Sequence, residues 1–425
     1  MIGGMSRYDP SWESVDDHRV PEWYHDAKFG VFVHYSPSWF GDDLPVPTEY
    51  DAGEWVSAIE GSGARYVVFT TKHHDGFSNW PSAHTDFGAE RTDGPRDIVT
   101  PLVETATQRG LKVGFYYSWL DNHHPDYPAT KYVEEFAHAQ IKELWDRYRP
   151  SILWGDGEWD HSADHWRARE IVSWYYNQAA NEERDVLVND RLGVDTRYYY
   201  VHGLDGTDRD VAGPAHGDYW TPEHQVASDV IEDKWEVCET MHEGWAWTES
   251  AAWRDVGDLV RLLVDVVSKN GNLLLNVGPR PDGTFSQEEI DRLQALGRWL
   301  EINGEAIYGT RPYEPASTEI AYVPDIDWDN PGDTWEDLRS LIAPNGQLRF
   351  TRRGQVAYAI TLGWPEDGVI RLEDVRLRAH ATVSMLGVNE PLQWEDRNGS
   401  VHIELPAQEA PPCEHAYAIR LPLAY

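Results

Sequence analysis

The 425-residue chain has few cysteines and no long hydrophobic run, and both scarcities exclude classes of protein. Cys238 and Cys413 lie far apart and cannot form a disulfide framework or a zinc knuckle. The longest apolar run, residues 259–267, contains Arg261 and Asp265 and is too short to cross a bilayer. Residues 1–20 are polar and show no apolar secretion signal. We therefore expect a cytoplasmic protein with no membrane partner.

Positive charge is also scarce. The chain has 73 Asp and Glu residues against 36 Lys and Arg, and its formal net charge is −37. A field of this sign repels phosphate, so we expect no nucleic-acid partner. The acidic residues are spread along the whole length, and only 7 of the basic residues are lysine. This pattern favours the acidic surface of a protein from a high-salt organism, where molar salt screens repulsion to within about 3 Å. A merely acidic protein is the alternative.

The chain is rich in apolar and aromatic residues, with 41% hydrophobic residues, 21 Trp and 22 Tyr, which excludes an intrinsically disordered protein. Between residue 29 and about 310, short apolar runs alternate with segments of helical period, and this alternation predicts parallel βα units. The helical segments are 132–148, 258–269 and 286–304, the last of which opens with Ser286 and Glu289 at capping-box spacing. The predicted strands are 29–34, 65–71, 111–117, 152–154, 186–189, 235–238 and 273–277.

Seven clear strands and one weak or missing strand predict a (β/α)₈-like (TIM) barrel, possibly distorted, over residues 1–311. A doubly wound open sheet is the alternative, but no GxGxxG segment follows the first strand. Beyond residue 311 the pattern changes to short runs of period 2 with Asn-Gly and Asp-Gly turns. We therefore expect a C-terminal antiparallel β-sandwich over residues 312–425.

Polar residues follow nearly every predicted strand of the barrel, where a parallel barrel carries its active site. The chain has no P-loop, no G-x-S-x-G segment and no H-E-x-x-H segment, which removes three common chemistries. Carboxylates, imidazoles, Arg and many Trp remain. This set suits sugars, because hydroxyls need charged hydrogen-bond partners and pyranose rings pack on indole. An oxocarbenium-like transition state is stabilised by a carboxylate, so the inventory favours glycoside hydrolysis.

Several segments resemble the α-L-fucosidases of glycoside hydrolase family 29, in the family's order, over about residues 20–312. The most specific are KHHDG (72–76) and NLLLNVGP (272–279). The others are FGVFVH (29–34), YVVFTT (66–71), WPS (80–82), GFYYS (114–118), LWGDGEW (153–159) and VNDR (188–191).

The resemblance implies the two catalytic carboxylates. Asp156 matches the family's nucleophile, whereas pattern alone does not separate it from Glu158 and Asp160. Glu223, in the segment GDYWTPE (217–223), matches the family's acid/base. Glu236 and Glu243 are the alternatives for the acid/base. Of these, Glu236 lies at the sixth predicted strand, and we expect it to have a structural role.

The resemblance also implies a sugar pocket. Its members are the hydroxyl-binding and nucleophile-supporting positions His34, His73, His74, Tyr117 and Arg191, and the aromatic walls Trp80 and Trp154. The adjacent pair of histidines could alternatively bind a metal, but neighbouring side chains at a strand end diverge and no carboxylate cluster accompanies them. We expect neither a metal nor another cofactor.

The implied activity is that of a retaining exo-α-L-fucosidase, which hydrolyses terminal α-L-fucosyl residues of oligosaccharides or glycosides through a covalent fucosyl-enzyme. Two alternatives stay open at this stage. One is a non-catalytic carbohydrate-binding protein on the same barrel, and the other is a glycosidase for a related sugar such as L-galactose. The sequence also leaves open whether the chain forms a homo-oligomer.

Overall fold

Seven parallel strands form the main sheet of the computed structural model. The strands are β1 (Phe29–Val33), β2 (Tyr66–Lys72), β3 (Lys112–Ser118), β4 (Ile152–Asp156), β5 (Leu187–Val188), β6 (Trp235–Thr240) and β7 (Gly271–Val277). Each coincides with one of the seven predicted runs. The structure describes residues 7–41, 43–89, 97–193, 216–224, 226–227, 229–249, 251–313, 347–406 and 411–424.

The sheet has the strand order β5-β4-β3-β2-β1-β7-β6, and all its neighbours pair in parallel. β1, β2, β4, β6 and β7 are buried along their whole length. Both faces of such a strand are covered, one by the interior of the curled sheet and the other by helices. The predicted barrel class is therefore confirmed as a curled parallel sheet, and the open doubly wound alternative is wrong.

The segment 218–224 lies between the two edge strands of this sheet. On one side, the amide of Asp218 donates to the carbonyl of Val188, and Tyr219 bridges Asn189. On the other side, Trp220 bridges Trp235 and Glu223 bridges Cys238, both in parallel. This irregular segment, which contains Pro222, occupies the place of the weak eighth strand, and it ends at Glu223.

The helices alternate with the strands of the sheet, as predicted. Ser286 and Glu289 form the predicted capping box at the start of α9. No helix within the described ranges combines the length and apolarity needed to span a membrane. The helices are α1 (Trp12–Val15), α2 (Glu22–Ala27), α3 (Ala52–Gly61), α4 (Val99–Gln108), α5 (His138–Tyr148), α6 (Ala163–Trp166), α7 (Ala168–Asn181), α8 (Val256–Ser268) and α9 (Gln287–Asn303), with a π-helix at Tyr132–Ala137 and 3₁₀ turns at Pro37–Phe40 and Gly304–Ala306.

The C-terminal part is antiparallel, as predicted, and consists of two sheets that enclose one apolar cluster. The larger sheet has the order β12-β15-β10-β9-β8 and the smaller one β11-β14-β13. Asn398 and Gly399 join β13 to β14 with φ of 58° and 96°, as a tight hairpin turn requires. The strands are β8 (Arg311–Pro312), β9 (Leu348–Arg353), β10 (Val356–Thr361), β11 (Val369–Leu372), β12 (Ser384–Met385), β13 (Gln393–Arg397), β14 (Ser400–Glu404) and β15 (Tyr417–Pro422).

The sandwich packs on the helices that close the barrel. The indole nitrogen of Trp299 on α9 donates to the carbonyl of Ala416 at 2.9 Å. Arg349 on β9 forms a buried ion pair with Asp265 on α8. The division at residue 311 stays a prediction, and β8, whose first residue is Arg311, already pairs with β9 of the sandwich.

Candidate active site

A cavity of about 230 Å³ opens at the carboxyl ends of the barrel strands. Polar side chains that close the strands surround it, together with aromatic rings. Seven of the predicted site residues line this cavity: His34, His73, His74, Trp154, Asp156, Arg191 and Glu223. The remaining lining residues are Phe32, Tyr116, Trp159, Cys238 and Trp245.

Asp156 is the last residue of β4 and is 7% exposed. Its Oδ2 accepts a hydrogen bond from the Tyr116 hydroxyl at 2.7 Å, and its Oδ1 accepts one from Nη1 of Arg191 at 3.2 Å. The chain then turns at Gly157, where φ is 73° and a Cβ would lie 2.6 Å from Oγ of Ser118. Only glycine fits this turn, so the strand ends there with the carboxylate held at the cavity by two donors.

Glu223 lies across the cavity, at the end of the irregular segment. Its Oε2 accepts a hydrogen bond from Nη1 of Arg191 at 3.2 Å, and its Oε1 accepts one from the indole nitrogen of Trp245 at 3.2 Å. Its side chain is 14% exposed. The arrangement therefore contains two carboxylates, both facing the cavity and both bonded to the same guanidinium nitrogen.

Arg191 holds this pair together. It is 2% exposed, and its Nη2 donates to the carbonyl of Thr221 at 2.7 Å. Its guanidinium also lies over the ring of Trp154, 5.1 Å from the centroid. A planar cation with several fixed donors suits this position, because one side chain reaches two carboxylates and a backbone carbonyl at once.

Three histidines form another part of the lining, and burial lowers the pKa of each of them. The pKa of His34 falls to about 3, and that of His73 falls well below its usual range. For His74 burial is again the largest cause, partly offset by Asp156. These rings are therefore neutral at physiological pH, and a neutral imidazole offers one donor and one acceptor.

Hydrogen bonds to the rings fix how two of these histidines face the cavity. Nδ1 of His34 lies 2.6 Å from the amide oxygen of Asn276, which is an acceptor, so Nε2 is left as an acceptor. Nδ1 of His74 lies 2.7 Å from the hydroxyl oxygen of Ser118. That hydroxyl itself donates to the carbonyl of Leu120, so it accepts from His74. His34 thus presents Nε2 as an acceptor for a ligand hydroxyl, whereas Nε2 of His74 lies 3.6 Å from Oδ2 of Asp156.

Two predicted pocket residues, Tyr117 and Trp80, are not among the side chains that line the cavity. Tyr117 points away from it, and its hydroxyl donates to the side chain of Gln140 at 2.8 Å inside the apolar core. Successive side chains of a strand point to opposite faces, so Tyr116, its neighbour, faces the cavity. Trp80 is fully buried in the same core, where its indole nitrogen donates to Glu143 at 3.0 Å.

The sequence interpretation missed Tyr116 and Trp245. The motif that contains Tyr116 has two adjacent tyrosines, and the motif alone does not distinguish their faces. Trp245 lies in a loop after β6 that matches no quoted motif, and its ring centroid is 4.9 Å from that of His34. The sequence feature that could have indicated Trp245 is its position in the loop after a barrel strand.

The alternative carboxylates lie elsewhere. Glu243 is exposed, and Glu158 is buried without contributing to the cavity lining. Glu236 is fully buried behind the cavity, where it accepts hydrogen bonds from Tyr24, Tyr66 and the indole nitrogen of Trp154. The three donors to Glu236 show that this side chain is part of the barrel interior.

The site combines two carboxylates, neutral imidazoles and indole rings around one cavity. Such a set can bind the hydroxyls of a sugar, cover its apolar faces and act on its anomeric carbon. Within the described residues, no group of three or more His, Cys, Asp or Glu side chains could hold a metal ion. Two carboxylates beside neutral imidazoles can supply acid/base and nucleophilic chemistry.

Comparison with known proteins identifies the family of the chain. The α-L-fucosidase family model matches residues 4–41 and 43–305, and the model of the α-L-fucosidase C-terminal domain matches residues 344–422. The chain is 31% identical to the tissue α-L-fucosidase of Homo sapiens, over 98% of this chain and 92% of that protein. It is also 31% identical to an α-L-fucosidase of Branchiostoma floridae, over 98% and 96% of the two chains.

A solved structure is similar over the whole chain. The crystal structure of Thermotoga maritima α-fucosidase in complex with a mechanism-based inhibitor superposes with a TM-score of 0.77 and 28% identity. The match covers 98% of this chain and 100% of that one. Both parts of the fold thus match one family. The chain belongs to the α-L-fucosidases, the glycoside hydrolases of family 29.

Proposed function

We propose that the protein is a retaining exo-α-L-fucosidase that releases terminal α-L-fucosyl residues from oligosaccharides or glycosides, with Asp156 as nucleophile and Glu223 as acid/base. One observation carries the proposal. Nη1 of Arg191 lies 3.2 Å from Oδ1 of Asp156 and 3.2 Å from Oε2 of Glu223. Oδ1 of Asp156 and Oε2 of Glu223 are therefore separated by at most twice the length of one such hydrogen bond.

This separation favours retention of configuration. Retaining glycosidases hold their carboxyl groups about 5–5.5 Å apart, so that one of them reaches the anomeric carbon directly. Inverting enzymes need about 6.5–9.5 Å, because a water molecule must fit between the base and the sugar. Two carboxylate oxygens that bond to one guanidinium nitrogen lie close together, which supports direct attack by a carboxylate.

The reaction then proceeds in two displacements. In the first, a carboxylate oxygen of Asp156 bonds to the anomeric carbon while the glycosidic bond breaks, and Glu223 gives its proton to the departing oxygen. In the second, Glu223 takes a proton from water as that water bonds to the anomeric carbon, and the bond to Asp156 breaks. Arg191 and Tyr116 donate to Asp156, so they stabilise the carboxylate each time it is released.

The lining of the cavity supports fucose as the sugar. Neutral His34 presents an acceptor for a hydroxyl, and a cavity of about 230 Å³ is below the usual range for drug-sized ligands, which favours binding of a single sugar unit. The rings of Phe32 and Trp245 lie 6.0 Å apart, centroid to centroid, and form an apolar wall beside His34. Such a wall favours a C5 methyl group over the hydroxymethyl group of L-galactose, because an unpaired hydroxyl there would lose its hydrogen bonds.

One variant with a matched control tests the nucleophile. We expect Asp156→Gly to remove nearly all turnover of an aryl α-L-fucoside, and azide to restore part of it by attacking the anomeric carbon in place of the carboxylate. The control is Asp160→Gly, which removes an exposed carboxylate four residues away. Substantial turnover in Asp156→Gly, or an equal loss in Asp160→Gly, contradicts the assignment.

The acid/base and the stereochemistry need separate measurements. Glu223→Ala should slow a fucoside with a poor leaving group far more than an activated aryl fucoside, because only the former needs a proton. The exposed Glu243 provides the control as Glu243→Ala. Proton NMR of the first-formed product should show α-fucose. A β-product excludes retention, and tight sugar binding without turnover by folded protein favours the carbohydrate-binding alternative.

A further inference from the structure

A row of charged side chains of alternating sign continues the active site away from the cavity. Beyond Asp156, Arg191 and Glu223, it continues with His224 and Glu239 and ends at Arg254. The imidazole Nε2 of His224 lies 4.0 Å from Oε1 of Glu223. The family motifs and the mechanism above assign nothing to the last three members of the row.

Glu239 anchors the outer part of this row. It lies on β6, and its Oε1 is 2.5 Å from Nδ1 of His224 and 3.0 Å from Nη2 of Arg254. The amide of Thr240 also donates to the same oxygen at 3.0 Å. Although burial opposes ionisation, Arg254 and His224 lower the pKa of Glu239 to about 2. The carboxylate is therefore ionised at any pH at which the enzyme works.

This anion favours the protonated, cationic form of His224. Burial alone would lower the pKa of His224, but Glu239 and Glu223 outweigh burial and Arg254, and the net shift is upward. Glu239, Glu223 and Arg254 are charged side chains that face the imidazole, and the indole of Trp245 covers it at 5.2 Å. His224 has φ of 56°, an unfavourable conformation for a residue with a Cβ. Its amide nevertheless bonds to the carbonyl of Cys238, which holds the ring beside Glu223.

We propose that His224, held by Glu239, is a positioning residue that controls the pH at which Glu223 is able to act as an acid. A cation 4.0 Å from a carboxyl group favours the ionised form of that group by Coulomb attraction. Glu223 must carry a proton to release the leaving group, so the imidazolium limits the reaction at high pH. This inference rests on the proposed role of Glu223.

The pH dependence of kcat/KM tests the inference. In His224→Gln the alkaline limb of the profile should move to higher pH by about one unit, the lower end of the effect expected of a charge at this distance. Glu239→Gln should move the limb in the same direction, because His224 then loses its charge at lower pH. Glu243→Gln removes an exposed carboxylate and should leave the limb in place. A role of His224 in packing alone would change stability and leave the limb where it is.

Two further experiments separate a failure of the inference from a failure of the proposed function. The Glu223→Gln/His224→Gln double variant lacks the carboxyl group on which His224 acts. On an activated fucoside, the pH profile of its residual rate should therefore not shift relative to that of Glu223→Gln. If the chain cleaves no fucoside, the proposed function fails, and ¹³C NMR titration of the Glu223 carboxyl in wild type and His224→Gln still tests the inference. If the titration midpoint of Glu223 or the alkaline limb of kcat/KM does not move in folded His224→Gln, the inference is wrong. If that variant does not fold, Glu239→Gln decides in the same way.

Discussion

Tyr116 and Tyr117 are adjacent on β3, and removing each hydroxyl should have a different consequence. The Tyr116 hydroxyl donates to Oδ2 of Asp156 at 2.7 Å, and the Tyr117 hydroxyl donates to Oε1 of Gln140 at 2.8 Å. Burial, and next the charge of Asp156, raise the pKa of Tyr116 well above its usual range, so it remains a donor throughout the working pH range. We expect Tyr116→Phe to lose activity and Tyr117→Phe to lose stability.

The size of the first effect follows from the type of hydrogen bond. A bond to a charged group contributes about 1.5–3 kcal/mol. At about 1.4 kcal/mol per factor of ten, its loss corresponds to a rate decrease of roughly 10- to 150-fold. The second displacement should be affected more than the first, because the donor stabilises the Asp156 carboxylate as it leaves. In the first displacement, Asp156 is less well aligned without this donor, but its carboxylate is also a stronger nucleophile, and the two effects partly cancel.

Steady-state and rapid-mixing kinetics on an activated aryl fucoside can separate the two steps. Tyr116→Phe should lower kcat, lower KM and show a burst of phenol as the fucosyl-enzyme accumulates. Tyr117→Phe should keep kcat and KM. It should lower the free energy of unfolding by about 1–3 kcal/mol, because Gln140 is left with an unpaired buried oxygen. If Tyr116→Phe keeps wild-type kcat while Tyr117→Phe loses it, the placement of the two side chains is wrong.

Two other predictions concern stability. Burial raises the pKa of Glu236 to about 7, so its folded-state pKa exceeds its unfolded value of 4.5, and the unfolding free energy should fall as pH rises from about 4.5 to 7. Glu236→Gln should remove about 3 kcal/mol of this fall in denaturant titrations at pH 5 and 8, and an unchanged difference contradicts the reasoning. With a formal charge of −37, the protein should have a higher Tm in molar KCl than in 0.1 M KCl, since the screening length drops from about 10 Å to about 3 Å. A Tm independent of salt would refute the high-salt interpretation.

The parallel sheet was predictable because local signals in the chain agree with its tertiary environment. The seven apolar runs became β1 to β7, since strands buried on both faces must be apolar along their length. The capping box at Ser286 formed because its two hydrogen bonds are local. The eighth position of the barrel was not predictable, because the segment 218–224 contains Pro222 and joins the edge strands through isolated bridges.

The two catalytic candidates also differ in how far their positions can be predicted from the sequence. Asp156 directly follows an apolar run, so its position at a strand end can be deduced from the sequence. Glu223 lies in a segment without strand character, and its assignment from sequence depended on family resemblance. In the structure it faces the cavity because this segment pairs with β6, 15 residues farther along the chain. His224 and Glu239 are joined by the same pairing, and no sequence pattern connects them.

The sequence by itself determined the family, the alternation of strands and helices, the sandwich and the residues that close each strand. Each of these depends on local composition or on motifs within a few residues. The tertiary structure alone decided that Tyr116, rather than Tyr117, bonds to Asp156, that Trp80 belongs to the core, and that Arg191 links both carboxylates. The physical reason is that β3 is buried on both faces, so its sequence shows no polar alternation from which the inward side can be deduced. Contacts between distant segments depend on how the sheet curls and closes, which no local pattern specifies.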